Sequence, residues 1–376
     1  MKIISFYLPQ FHPIPENDFW WGKGFTEWTN VARGTPLFPG HHQPHIPADL
    51  GFYDLRMEET RVAQAELASR HGIRGFCYYH YWFNGKLLLE RPFNEVLRSG
   101  RPDFPFSLCW ANENWTRTWE GTERAILMEQ EYESYDPVEH MEWLEKAFAD
   151  KRYIRINDKP LFLVYRPDDI PNIREIIRIW RKIISEKGYP GIYICSVKNF
   201  KTRLSDEESI ALGFDAVVDF QPNPKDYPAV KWWNFARYIL PRIFNQIILN
   251  LKAEHVLRLR PVVFVYDYES LALNAMRKPR SVQRSFPCVI PGWDNTPRKK
   301  VGATVLQNND AGIYRRWMEN AMERVLDYPK EEQVVFVNAW NEWAEGCHLE
   351  PDLKNGKKFL EATRTALEKF QQDTHL

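Results

Sequence analysis

The sequence predicts one α/β domain, a (β/α)8 barrel (TIM barrel) with long loops after some of its strands. Three observations carry this. Eight short apolar runs alternate with amphipathic stretches along the chain. Most runs lack clear period-two alternation, as strands buried on both faces do. Polar–aromatic clusters follow at least four runs at the same end, where a barrel assembles its site.

The predicted strands are Ile3–Tyr7, Gly75–Tyr79, Phe104–Trp110, Leu161–Tyr165, Ile192–Ser196, Ala216–Phe220, Phe286–Ile290 and Val334–Asn338. Between them, Leu55–His71 reads as a helix stopped by Gly72, and Val138–Phe148 follows Asp136-Pro137 as cap and first-turn proline. Ile173–Lys187 closes at Gly188, and Ile313–Leu326 follows Asp310. Leu8–Asp49 and Pro222–Arg280 are too long for plain connections. The second reads as a helical insertion over residues 222–280, with a further apolar run at Val262–Tyr266. No Gly-x-Gly-x-x-Gly or Walker loop supports a nucleotide-binding sheet. A chain of 376 residues without repeat, low-complexity segment or linker is read as one domain, 1–376.

A formal net charge of zero gives no reason to expect nucleic acid as a partner. Aromatic residues are plentiful, and many of the 15 tryptophans stand beside Asn, Glu, Gly and His, which suits a polar cleft with stacking faces. The five cysteines form no Cys-x-x-Cys pair, and most lie in or beside strand-like runs, so buried free thiols are expected. The N-terminus enters a strand directly and no apolar run is long enough to span a bilayer, from which a cytoplasmic location is expected.

The densest chemistry is Val334 to Gly346, an apolar strand running into Asn338-Ala339-Trp340-Asn341-Glu342-Trp343-Ala344-Glu345. Glycoside cleavage needs two carboxyl groups flanking the bond, one protonated near neutrality, and Glu342 and Glu345 are the candidate catalytic pair. A helix start explains one Glu, but not two framed by Trp340 and Trp343. The third strand ends in Trp110-Ala111-Asn112-Glu113-Asn114-Trp115, where Glu113 is either a third carboxylate or, by preference, an acceptor for a sugar hydroxyl. Further candidate substrate contacts are Tyr7, Gln10, His12, Glu27 and Trp28 after the first strand, Tyr79 and Tyr81 after the second, and Trp293 and Asp294 after the seventh. Trp110, Asn112, Asn114, Trp115, Trp340, Asn341 and Trp343 complete that set.

No metal is expected. His41, His42 and His45 lie among prolines with no acidic or thiol partner at ligand spacing, and no His-Glu-x-x-His pattern occurs. No cofactor or obligate protein partner is implied. Residues 231–260 mix cations, Trp and aliphatics; they read as an amphipathic insertion over the rim, with weak contact to an anionic membrane surface as the alternative.

The segments Ser5-Phe6-Tyr7-Leu8-Pro9-Gln10-Phe11-His12, Gly24-Phe25-Thr26-Glu27-Trp28, Trp110 to Trp115 and Trp340 to Gly346 resemble the WbsX-like proteins, a group related to glycoside hydrolase family 99. The resemblance spans nearly the whole chain. It implies a metal-independent barrel that cleaves manno- or rhamno-configured α-linkages of a polysaccharide or oligosaccharide with retention, by endo action in the sense of that family's endo-α-mannosidases. It further implies that Glu342 deprotonates the sugar's own 2-hydroxyl to give a 1,2-anhydro sugar, while Glu345 protonates the leaving oxygen and then activates water. This chain carries Ala344 where family 99 has His. WbsX-like proteins are also described as glycosyltransferases of surface polysaccharide, so transfer in O-antigen or capsule assembly is the alternative.

Overall fold

The computed structural model describes residues 1–116, 126–229, 263–299 and 302–374. Its centre is a closed barrel of eight parallel strands: β1 (Lys2–Tyr7), β2 (Gly75–Phe83), β3 (Phe106–Trp110), β4 (Lys159–Val164), β5 (Tyr193–Val197), β6 (Ala216–Asp219), β7 (Ser285–Val289) and β8 (Val334–Val337). Closure is explicit in the register, because Ser5 of β1 faces both Phe76 of β2 and Val337 of β8. All eight predicted strands are present. β2 runs further than expected, since Tyr81–Phe83 pair back with Lys86–Leu88 through a turn at Asn84 and Gly85, both at positive φ. That dipeptide suits a tight hairpin.

Helices α1 (Pro15–Trp21) and α2 (Glu27–Arg33) lie in the β1 connection. One helix then follows each strand: α3 (Glu58–Arg70), α4 (Arg91–Ser99), α5 (Pro137–Phe148), α6 (Ile173–Glu186), α7 (Asp206–Leu212), α8 (Tyr268–Arg277), α9 (Ala311–Arg324) and α10 (Lys358–Thr374). The capping signals act as read. The Asp136 carboxylate accepts from Val138 N at 2.8 Å and Glu139 N at 3.2 Å, and Asp310 does the same for Gly312 and Ile313. α3 starts later than expected because the Leu55 amide is bonded to the Phe11 carbonyl, which ties down the preceding loop.

Strand parity divides the core. Ile4, Phe6, Cys77, Cys109, Leu161, Leu163, Cys195, Val197, Val218, Phe286, Cys288 and Phe336 pack together inside the barrel. The alternate residues, among them Tyr7, Phe76, Tyr78, Leu108, Trp110, Phe162 and Val335, pack outward against the helices. All five cysteines are buried free thiols, and four of them fill the interior beside large rings such as Phe6 and Phe336.

Part of the expected insertion is strand rather than helix. Val263–Asp267 pairs in parallel with Ala303–Gln307 outside the barrel. Residues 231–260, on which the membrane-surface expectation rests, lie outside the described residues. Among the described residues no helix is long and apolar enough to cross a membrane.

Trp110 sits fully buried between β3 and the helices, stacked on Tyr135 at 5.1 Å and donating from Nε1 to the Trp82 carbonyl at 3.2 Å. Trp110→Ala is therefore expected to cost roughly 3–5 kcal/mol of stability. Urea denaturation measures it, and a loss below about 1 kcal/mol would place the indole elsewhere.

Candidate active site

Beyond β8 the chain makes a small hairpin. The Trp340 amide bonds the Phe6 carbonyl at 2.8 Å, and Asn341 clamps the end of β1, accepting from Leu8 N at 2.8 Å and donating to Leu8 O at 3.0 Å. Asn341–Glu342 pairs antiparallel with Cys347–His348 around a 3-10 turn, Trp343–Glu345. Gly346 closes the turn at φ 56°, where a Cβ would stand 2.9 Å from the Asp294 Cβ and 3.0 Å from its amide nitrogen. Only glycine fits there without moving the β7 connection. The turn sends Glu342 and Glu345 toward the barrel mouth and Trp343 away, stacked on His348 at 3.7 Å.

The two carboxylates meet a third and a cation. Arg298, from the β7 connection, places Nη2 2.8 Å from Glu342 Oε2 and Nη1 2.9 Å from Glu345 Oε1, and its Nε donates to Glu27 Oε1 at 2.7 Å. Glu27 is fully buried at the start of α2, and its other oxygen accepts from Asn30 at 3.2 Å. Three carboxylates around one guanidinium carry excess negative charge, so burial favours keeping a proton on the cluster. Burial, with Glu345 and Glu27 beside it, pushes the Glu342 carboxyl up to about 8 against the pull of Arg298. Burial also raises Glu27, while the carboxylates hold Arg298 charged despite its own burial. The Glu342 side chain is 7% exposed and that of Glu345 22%, so Glu345 is the more open of the pair.

Tyrosines line the mouth. Tyr79 and Tyr81 continue β2, Tyr165 follows β4, and Tyr227 follows β6. Burial and nearby carboxylates hold their hydroxyls above the usual range, Glu342 acting on Tyr79 and Tyr81, Glu113 and Glu345 on Tyr165, and Glu345 on Tyr227. Each is a protonated donor at neutral pH. A half-buried ring series extends outward, with Tyr81 to Trp115 at 5.2 Å and Trp115 to Trp20 at 5.8 Å.

Glu113 stands at the same mouth with its side chain 35% exposed, 3.7 Å from both Arg166 Nη1 and Lys201 Nζ. Asn112 spends its amide on Arg166 N and O, each at 2.8 Å, and Asn114 accepts from Gln130 N at 2.7 Å.

Several expected contacts are placed away from the mouth. Tyr7, Trp110 and Trp340 face the helix layer, and the Tyr7 hydroxyl donates to Gln64 at 2.7 Å. Trp28 and Trp343 pack together at 5.5 Å, with indole N–H groups bonded to the Tyr53 carbonyl and to Glu350 Oε2. Asp294 is saturated by His41, Gln43 and Thr296 and anchors the loop carrying Arg298. Its neighbour Trp293 is half-buried against the core. Gln10 is buried and uses its carbonyl to receive the Glu27 amide at 3.0 Å. His12 is buried near Asp54 and Arg56, and burial brings its imidazole down to about 4.

Arg298, Tyr165 and Tyr227 escaped the sequence reading. Tyr165 ends a predicted strand on its inward parity and could have been found that way. Arg298 had no local signal beyond lying four residues after Asp294. Among the described residues, one group has the makings of a metal site, His45, His348 and Asp352, and it lies behind Trp343 rather than at the carboxylates.

The profile of the family described as "Glycosyltransferase WbsX" matches residues 3–363. Two curated relatives, each named "Uncharacterized protein WxcX", come from Xanthomonas campestris pv. campestris. The strain B100 protein is 40% identical over 366 residues, covering 97% of this chain and 49% of the relative. The ATCC 33913 protein is 39% identical with the same coverage. The chain thus spans about half the length of these relatives. Among solved structures, the GH99 endo-alpha-mannosidase from Bacteroides thetaiotaomicron superposes with a TM-score of 0.54 at 14% identity, covering 100% of this chain and 98% of that one. A "Glycoside hydrolase-like protein" superposes with a TM-score of 0.55 at 13% identity, covering 97% and 93%. At such identities the superpositions speak for the barrel.

Because the folded state binds the Glu342 proton more tightly than an unfolded carboxyl of ordinary pKa, about 4.3, this group costs stability as pH rises from there toward about 8. Glu342→Gln should therefore be more stable than the wild type at pH 8.5, by on the order of a few kcal/mol, and melt higher there, with the gap closing by pH 5. Equal melting shifts at both pH values would contradict the raised carboxyl.

Proposed function

We propose that this chain, which belongs to the WbsX family, is a retaining α-glycosidase, endo-acting on manno- or rhamno-configured linkages of a polysaccharide or oligosaccharide. The observation that carries the reading is the Glu342–Glu345 pair, held on one turn by Arg298 at a tyrosine-lined barrel mouth. The rings of Tyr81, Trp115 and Trp20 supply stacking faces leading away from the carboxylates, which suits a chain of several sugars.

In this reading Glu342, the deeper group, takes the proton of the sugar's 2-hydroxyl. That oxygen attacks the anomeric carbon as the glycosidic bond breaks, and the leaving oxygen takes its proton from the more open Glu345. Water then attacks the anomeric carbon and gives a proton to Glu345, the anhydro ring opens, and the 2-oxygen recovers its proton from Glu342. The sequence needs the 2-hydroxyl trans to the leaving group, as in α-mannosides and α-rhamnosides. It requires the one proton of the pair, which burial holds on Glu342 in the free site, to pass to Glu345 when substrate binds, so that Glu342 enters the reaction ionised.

The family's own description favours a second reading, transfer from an activated sugar donor. The two readings separate when α-mannosides, α-rhamnosides and nucleotide sugars are offered separately and products followed by mass spectrometry. Glycoside cleavage is expected; nucleotide-sugar turnover without it would replace the first reading by the second.

Glu342→Gln and Glu345→Gln should each lower kcat by about 10²–10⁴-fold with the fold intact by circular dichroism. Near-full activity in both would move the chemistry to Glu113. The wild-type kcat/KM should fall above pH of about 8 as the pair loses its shared proton. A profile flat through pH 9 would exclude a shared proton with that ionisation.

A further inference from the structure

Behind the catalytic turn, two distant loops bring three donor groups together. His45 comes from the β1 connection, and His348 and Asp352 from the segment after β8. A ring nitrogen of each histidine and a carboxylate oxygen of Asp352 lie within 4.8 Å of one another. His348 and Asp352 are buried and His45 is half-buried.

The surroundings leave these donors ready to bind. His348 Nδ1 stands 2.9 Å from the Glu350 carbonyl, so that nitrogen carries the proton and Nε2 presents its lone pair. A backbone partner on the far nitrogen is the support that orients metal-bound histidines. Asp352 is buried in the segment after β8. Its Oδ1 is held by the amides of Lys354 at 2.8 Å and Asn355 at 2.6 Å, which fixes the carboxylate with Oδ2 toward the histidines.

Tetrahedral zinc with bonds of about 2.0–2.2 Å sets its ligand atoms roughly 3.3 Å apart. Two of the three separations bracket this value, His45 Nδ1 to His348 Nε2 at 2.9 Å and His348 Nε2 to Asp352 Oδ2 at 3.9 Å, and the third lies within 4.8 Å. The adjoining cavity, lined by His45, Gly346, His348, Asp352, Asn355 and Phe359, measures ≈ 10 Å³ and has room for one water as a fourth ligand.

We propose that His45, His348 and Asp352 bind one divalent cation of the zinc type, which pins the β1 connection to the segment after β8. The cation takes the place of the proton between the two rings, and His45 carries its proton on the other ring nitrogen, so no net proton is released. Because His348 stacks on Trp343, the site braces the catalytic turn from behind and takes no part in the carbohydrate chemistry. The proposal stands independently of the glycosidase reading.

The test uses the full chain, freed of metal with a chelator and titrated with Zn²⁺ by calorimetry, with Co²⁺ as a visible-absorption probe. One Zn²⁺ per chain and a rise in Tm are expected, together with a four-coordinate cobalt band. His45→Gln and Asp352→Asn should each weaken Zn²⁺ binding at least tenfold, while His42→Gln leaves it unchanged. His45 is only half-buried, so its variant keeps the test decisive if Asp352→Asn fails to fold. Absence of saturable binding, or wild-type affinity in His45→Gln, would overturn the proposal.

Discussion

The arrangement around the barrel mouth depends on one buried guanidinium. Arg298 touches Glu27, Glu342 and Glu345, which arrive on the β1 and β8 connections, while Arg298 itself arrives on the β7 connection. A carboxylate taken out of water without a partner costs several kcal/mol, and three in contact repel one another besides. Arg298 makes their burial tolerable and leaves an excess negative charge that keeps a proton close. The same contact that holds the loops together thus sets the ionisation of the carboxylate cluster. A planar fork is needed for this: a lysine ammonium could not reach three acceptors in different directions with fixed geometry.

Further polar networks hold the partners of Arg298 in place. Asp294 binds His41, Gln43 and Thr296, and its amide bonds the Glu345 carbonyl at 2.6 Å, which ties the β7 loop to the turn carrying Glu342 and Glu345. On the other side Glu350 accepts from Trp343 and Gln64, each at 2.6 Å, and from Tyr53 at 2.8 Å. Burial carries that carboxyl up to about 7 in spite of these donors. Reactive groups held within fractions of an ångström need such a supporting layer. Much of the polar and aromatic wealth of this chain is spent on that layer.

This explains why the candidate site was only partly legible. The barrel was legible because a doubly buried strand must be apolar along its length, and eight such runs separated by helices leave few alternatives. The Glu342–Glu345 pair was legible because both residues sit on one short turn directly after a strand. Trp110, Trp340, Trp343 and Asp294 share the same polar–aromatic signature, yet they face the helix layer or support the site from behind. Composition does not tell a ring that stacks on sugar from one that stacks on His348.

By itself, then, the sequence determined the barrel, the order of its strands, the helix caps at Asp136 and Asp310 and the position of two carboxylates, because each of these depends on residues close together in the chain. Only the tertiary structure decided which side chains reach the mouth, since a one-residue step along a strand reverses the facing. It alone joined Arg298 to Glu27 and His45 to His348, pairs separated by 271 and 303 residues. Contacts of that reach exist only once the barrel has closed and brought its first and last connections to the same rim.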